Sequence, residues 1–179
     1  MVTVTSALPG EGHELIAANL ALIAAAESRE ARVLLVDADV RRPSLHRLFG
    51  VPAAPGLGEL SAGATTLESA LRAAGPSGLS LIAAGEPGAG ALPSAALGQQ
   101  LTALRARFDL IYIAAPPLLV NADGAFLARA GDGTLLVILA GETSRQSVAE
   151  AIDVLGDAPL LGCVLNGARP RRALGRPGG

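Results

Sequence analysis

Short, continuously apolar runs alternate along the chain with longer Ala/Leu-rich runs of helical period. Val2 to Ser6 predicts a strand and His13 to Glu27 a helix. Val33 to Asp37 predicts a second strand and Pro43 to Phe49 a short helical turn; residues 50–64 read as a loop with at most one turn, and Thr66 to Ala74 as a helix. Leu79 to Ala83 reads as a strand, Gly85 to Pro93 as a Gly/Pro loop, and Ser94 to Phe108 as a helix with Leu97, Leu101 and Leu104 along one side. Leu110 to Ala114 is a strand stopped by Pro116 and Pro117. A helix from Asn121 to Ala130, a strand from Thr134 to Ala140, a helix from Ser144 to Leu155 and a strand from Leu160 to Asn166 complete the pattern.

Strands apolar throughout, such as Val33-Leu34-Leu35-Val36, are buried on both faces. Their alternation with helices gives βαβ units with right-handed crossovers. The expectation is one α/β domain over residues 1–168 with a mainly parallel central sheet. Residues 169–179, with Arg169, Arg171, Arg172 and Arg176, read as a flexible Arg/Gly-rich tail.

Composition narrows the chemistry. At 179 residues, 50% hydrophobic and 17% charged, the chain suits one compact domain and not a disordered segment. A formal net charge of −2 provides no basic field, so no nucleic-acid partner is expected. All 14 basic residues are Arg, which removes every mechanism that needs a lysine. Cys163 stands alone and reads as a small buried core residue; with only His13 and His46 besides, no metal centre is expected. The uncharged run Leu15 to Ala26 is well short of the roughly 20 residues a spanning helix needs. The N-terminus has no positively charged n-region, so neither a membrane span nor a signal peptide is expected.

Ligands of parallel sheets sit at the carboxyl ends of strands, which directs attention to Ser6-Ala7-Leu8-Pro9-Gly10-Glu11-Gly12-His13-Glu14. A P-loop reads G-x-x-x-x-G-K-[ST]. Here the frame gives Ala7, four residues and Gly12, then His13 and Glu14. Two glycines and a helix N-terminus keep the means to approach a phosphate. His13 takes the place of the lysine and Glu14 that of the metal-binding hydroxyl. A histidine near its ordinary pKa of about 6.5 is mostly neutral at cytoplasmic pH. A carboxylate at 4 Å from a phosphate repels it by about 1 kcal/mol in water and about 4 kcal/mol at an effective dielectric near 20. Glu14 equally suits a helix first turn with no ligand present.

Val33-Leu34-Leu35-Val36-Asp37-Ala38-Asp39-Val40-Arg41-Arg42-Pro43-Ser44-Leu45-His46 closely resembles the second signature, Walker A′, of bacterial tyrosine kinases. Phe108-Asp109 through Pro116-Pro117 resembles their Walker B strand, and Leu161 to Asn166 their last core strand. The Ser6–Gly12 loop is similar to their phosphate loop, so the resemblance spans roughly residues 2–168 in order. It implies a three-layer P-loop NTPase-like domain of the MinD/ParA-like branch, working in exopolysaccharide or capsule synthesis and export beside or fused to a membrane copolymerase.

The departures fall on the active site. The family's Walker B aspartate is matched by Ala114, its Walker A lysine by His13 and the hydroxyl by Glu14; the Walker A′ acids Asp37 and Asp39 remain. Phosphoryl transfer depends on metal and cation neutralising the phosphate oxygens. The resemblance therefore implies a pseudokinase, with Asp37 and Asp39 vestigial and no catalytic residue expected. Pro9, Gly10, Glu11, Gly12, His13 and Glu14 form a degenerate phosphate loop, and Asn166 matches the position that contacts adenine. No cofactor is expected, with ATP or ADP and Mg bound at most weakly. Asp123 matches a family aspartate after the Pro-Pro turn; Asp37 and Asp39 also suit turn capping, Asp123 a helix cap, and Asn166 a strand-end turn. Arg41 and Arg42 read as a solvated loop. The family's C-terminal tyrosine cluster and the acidic/arginine helix before its phosphate loop have no counterpart here, so its ring oligomer is not expected. Tyr112, the sole tyrosine, lies in a predicted core strand. The expected partner is the cytoplasmic part of a membrane polysaccharide copolymerase, or an active kinase paralogue. The expected place is the cytoplasm, held at the inner face of the plasma membrane through that partner. A nucleotide-binding switch without hydrolysis and a weakly active kinase or ATPase are the alternatives.

Overall fold

Every residue of Val33–Asp37 is buried, as a strand covered on both faces requires. The computed structural model describes all residues except 29, 76–77, 87–91, 93 and 169–179. The expected tail and most of the 85–93 loop lie outside the described residues.

In chain order the elements are β1 (Val2–Ser6), α1 (His13–Glu27), β2 (Val33–Asp37), α2 (Leu45–Phe49), α3 (Leu57–Ser61), α4 (Leu67–Ala70) and β3 (Leu71–Ala73). Then follow β4 (Leu79–Ile82), α5 (Ser94–Arg105), β5 (Leu110–Ala114), α6 (Ala122–Ala130), β6 (Gly133–Leu139), α7 (Arg145–Leu155) and β7 (Leu160–Asn166). They form one seven-stranded sheet in the order β3-β4-β2-β5-β1-β6-β7. Every pairing is parallel except β3 with β4.

Alternate strand residues feed two cores. Leu34, Val36, Ile111 and Ile113 pack with Leu97, Leu101 and Leu104 of α5 and Leu127 of α6. Val33, Leu35, Leu81 and Ala114 pack with Ala17, Ala18, Ala21 and Ala25, whose small side chains bring α1 close to the sheet. Leu136 joins Ala125 and Ala128 of α6 and Ala151 and Leu155 of α7 in a third cluster. Helices thus cover both faces, α1 on one and α5, α6 and α7 on the other. Each fully buried Leu or Ile contributes about 1.5–3 kcal/mol against exposure.

Two expectations need correction. The helix expected over Thr66 to Ala74 stops after one turn. Thr66 caps it, but Leu71 turns extended (φ −71°, ψ 135°), and Leu71–Ala73 pair antiparallel with Ile82, Leu81 and Ser80. The open edge of β4 and the packing of Leu71 on the core outweigh the helical preference of Ala, Leu and Arg. Cys163, expected in the core, is exposed. It pairs with Leu136 across the β6–β7 ladder. Ala151 and Leu155 of α7 cover Leu136, while Cys163, one strand further out, lies beyond that cover.

Candidate functional site

The carboxyl ends of β1, β2 and β5 meet at one edge of the sheet, the place where open parallel sheets bind ligands. The loop from β1 to α1 is fixed there from several sides. Gly10 and Gly12 take φ of +85° and +86°, the left-handed region that favours glycine. Glu11, only 3% exposed, turns its carboxylate back into the chain. One oxygen accepts from the Leu8 amide at 2.9 Å, and the other accepts from the Thr143 hydroxyl. Thr143 in turn accepts from the Leu139 amide at 3.0 Å, tying the end of β6 to the loop. Asn166, at the end of β7, donates from Nδ2 to the Glu11 carbonyl at 2.9 Å and accepts at Oδ1 from the Gly167 amide. Both polar atoms of the Asn166 side chain are thereby engaged with the chain itself.

His13 opens α1 but does not project from it. Its side chain is 1% exposed, with Nδ1 3.0 Å from the Ser6 hydroxyl and 3.5 Å from a Glu14 oxygen. Ser6 donates its single hydroxyl proton to the Leu8 carbonyl at 2.8 Å. The Ser6–His13 bond then takes Nδ1–H as donor, an assignment that follows from the hydrogen-bond network. Nε2 is left as a buried acceptor with no partner among the described residues. Burial lowers the His13 pKa, and the negative fields of Glu14, Asp39 and Glu11 only partly oppose it. The imidazole is neutral and faces the protein interior.

The two acids after β2, Asp37 and Asp39, support a turn. Asp37, fully buried, accepts from the Leu45 amide at 2.9 Å and the Ser44 amide at 3.0 Å on one oxygen, and from the Asp39 amide at 3.3 Å on the other. Burial pushes its pKa up to about 6 against the pull of those amides. Asp39, 4% exposed, accepts from the Arg42 and Arg41 amides at 3.0 and 3.2 Å. The capping geometry read from the sequence is present at both acids. Ala114 is the ladder partner of Asp37 in β5 and is fully buried.

Asp39, Arg41 and Arg42 face Pro9, Pro116, Pro117, Val120 and Asn121 across a cleft of about 130 Å³. Arg41 and Arg42 are exposed, as expected of a solvated loop. Asn121, not Asp123, caps α6, accepting from the Asp123 amide at 3.0 Å, and a buried Asp123 carboxylate oxygen has no partner among the described residues. Ser6 and Thr143 were not legible as site residues. Their hydroxyls hold His13 and Glu11; Ser6 stood in the loop motif without a role of its own, and no motif marks Thr143.

A Mg-nucleotide asks for a cation at its terminal phosphates and for hydroxyl and carboxylate ligands on the metal. The chain offers loop amides, the first-turn amides of α1 and Asp39. His13 is buried and neutral, Glu14 is an acid, Ala114 has no donor, and Asp37 is engaged with backbone amides. Among the described residues no group of three or more His, Cys, Asp or Glu is placed to hold a metal. The residues fit the frame of a phosphate site but not its cation and metal.

Sheet order and loop together define a P-loop NTPase-like α/β protein. The cell-division ATPase MinD of Pyrococcus furiosus shares this fold, with a TM-score of 0.78 at 24% identity over 92% of this chain and 70% of that one. No family model matches the chain. The VpsO kinase domain superposes with a TM-score of 0.86 at 33% identity, covering 94% of this chain and 84% of that domain. Tyrosine-protein kinase YwqD of Bacillus subtilis (strain 168) is 34% identical over 173 residues, 94% of this chain and 72% of YwqD. The chain belongs to the bacterial tyrosine-protein kinase family. It is also 30% identical over 176 residues to the succinoglycan biosynthesis transport protein ExoP of Rhizobium meliloti (strain 1021), of which it spans 22%. Among the described residues no helix is long and apolar enough to cross a membrane.

Proposed function

We propose that this chain is a non-catalytic member of its kinase family, acting as a partner or regulator in exopolysaccharide synthesis and export. It docks on the cytoplasmic part of a membrane copolymerase or on an active kinase paralogue, and reaches the inner face of the plasma membrane through that partner. The observation that carries this reading is the placement of His13. A neutral imidazole, 1% exposed and bonded to Ser6, supplies no positive charge to a bound phosphate. Glu14 adds negative charge beside it, and Ala114 leaves the end of β5 without a metal ligand. Groups of this kind act as a unit in phosphoryl transfer, so the loss of several leaves no useful turnover. The relationship to ExoP supports the pathway.

The test is calorimetric titration with Mg-ADP and Mg-ATP of the wild type, of His13→Lys/Glu14→Ser, and of His13→Lys/Glu14→Ser/Ala114→Asp. A silent wild type beside a binding variant supports the reading. Micromolar binding by the wild type overturns it.

One observation favours a second reading, a nucleotide-dependent switch without hydrolysis. Gly10, Gly12 and the α1 N-terminus keep the geometry of a phosphate cradle. Under that reading millimolar nucleotide raises the melting temperature of the wild type. A weakly active kinase or ATPase needs a cation from elsewhere, for which Arg41 and Arg42 at the cleft are the candidates, and would leave phosphotyrosine on an added family substrate.

A further inference from the structure

The cleft between the Asp39–Arg42 turn and the segment after β5 holds donors that the chain does not use. Arg41 and Arg42 line it, and neither forms an ion pair among the described residues. Asn121 lines it as well. Its Oδ1 accepts from the Asp123 amide, which leaves Nδ2 without a partner among the described residues. Asp39 is the acid of the lining, and one of its oxygens is occupied by the two arginine amides. Two guanidiniums and a carboxamide against one carboxylate select an anion.

The rest of the lining is apolar: Pro9, Pro116, Pro117 and Val120, the last 52% exposed. This wall is held in place by the backbone. The Leu118 and Leu119 amides donate to the Ser6 and Ala7 carbonyls at 2.9 and 3.2 Å, and the Asn121 amide donates to the Pro117 carbonyl at 3.1 Å. Preformed walls spare a ligand the cost of ordering them. The volume of about 130 Å³ is close to the cavity of about 150 Å³ that holds one benzene ring. It suits a single ring with an anionic group, and is too small for a whole nucleotide.

We propose that this cleft binds the phosphotyrosine side chain of a partner protein, with the ring on the prolines and Val120 and the phosphate at Arg41, Arg42 and Asn121. Such a phosphate brings about −1.5 to −2 charges at pH 7 and three acceptor oxygens. A phosphoserine lacks the ring, and a tyrosine lacks the charge. Tyr112, the one tyrosine of the chain, lies in β5 between Val2 and Leu35 of the neighbouring strands, so the ligand comes from another protein. On the non-catalytic reading above, on which this assignment rests, an active kinase paralogue adds the phosphate and this chain holds the product.

The test is fluorescence anisotropy of a fluorescein-labelled Gly/Ser peptide with one central phosphotyrosine, titrated with the full chain. Saturable binding is expected, at least about tenfold weaker for the tyrosine and phosphoserine forms of the peptide and weaker at high salt. Arg41→Gln/Arg42→Gln is expected to lose it. Arg41→Lys/Arg42→Lys keeps the charge without the planar fork and is expected to recover only part. Val120→Asp is expected to weaken it. The arginines and Val120 are exposed, and an unchanged melting temperature confirms that the fold is kept. Absence of binding overturns the proposal, as does binding that survives Arg41→Gln/Arg42→Gln. Equal binding of the phosphoserine peptide overturns it too, and so does uptake of phosphatidylserine vesicles without uptake of the phosphopeptide. Mg-ADP, titrated separately, keeps the two readings apart. A chain silent to both ligands loses this proposal and remains non-catalytic; one that binds both keeps the phosphotyrosine cleft and loses the non-catalytic reading.

Discussion

The Asn166 side chain donates to the Glu11 carbonyl at 2.9 Å and joins the last strand to the first loop across 155 residues of sequence. The same Nδ2 lies 2.5 Å from where a β-carbon on Gly12 would stand. The strand end and the loop are therefore fitted to each other through a glycine.

That fit predicts a non-additive pair. Gly10 and Gly12 share a left-handed conformation, but nothing lies within 4 Å of a β-carbon on Gly10. Gly10→Ala is expected to cost about 1–2 kcal/mol from backbone strain alone. Gly12→Ala is expected to cost more, and the excess should vanish in an Asn166→Ala background. Urea denaturation of the four variants forms the cycle; additive costs would show that the contact has no energetic weight.

Asp37 makes stability depend on pH. Its carboxyl has an ordinary value of 3.8 and is pushed to about 6 by burial. Between those values the native state holds more protons than the unfolded one, so this group's contribution falls as pH rises and levels off above about 6. The fall amounts to about 3 kcal/mol. Asp37→Asn cannot ionise. The stability gap between wild type and Asp37→Asn is expected to shrink by that amount from pH 4 to pH 7, measured by denaturation at each pH.

His13 has the opposite sign. A histidine whose folded pKa is lowered binds fewer protons in the native state, so its contribution rises with pH and is complete above 6.5. Proton NMR of the imidazole, assigned by a His13→Asn variant, is expected to show a midpoint below 6.5. A midpoint at or above it would mean that Glu14 outweighs burial, and that the loop carries a cation after all.

Cys163 offers a direct check on the edge of the sheet. Its exposure predicts stoichiometric reaction with a thiol reagent in the folded protein, with the circular dichroism spectrum unchanged. Reaction only on unfolding would place it under cover.

The α/β alternation and the parallel sheet were legible because apolar runs of five residues and helical periods leave local marks. Val33–Val36 and the Leu97, Leu101, Leu104 stripe are examples. Leu71–Ala73 was not legible: its extended state comes from the edge of β4, not from its own side chains. Cys163 was misplaced for a related reason. An apolar strand reads alike at the centre of a sheet and at its edge, and only the reach of α7 distinguishes them. At the candidate site, the residue types at 13, 14 and 114 were open to comparison with a motif. That His13 folds inward onto Ser6, and that Glu11 joins Thr143 to Leu8, depends on residues far apart in sequence.

The pairing of Asp37 with Ala114 bears on which side chains this strand end tolerates. An aspartate at 114 would stand beside a buried carboxyl that already retains its proton to about pH 6. Two acids on neighbouring strands in so dry a place repel, so alanine is the choice that folding favours. An aspartate placed at 114 is therefore expected to weaken the fold unless a cation or a proton neutralises one of the two carboxyls.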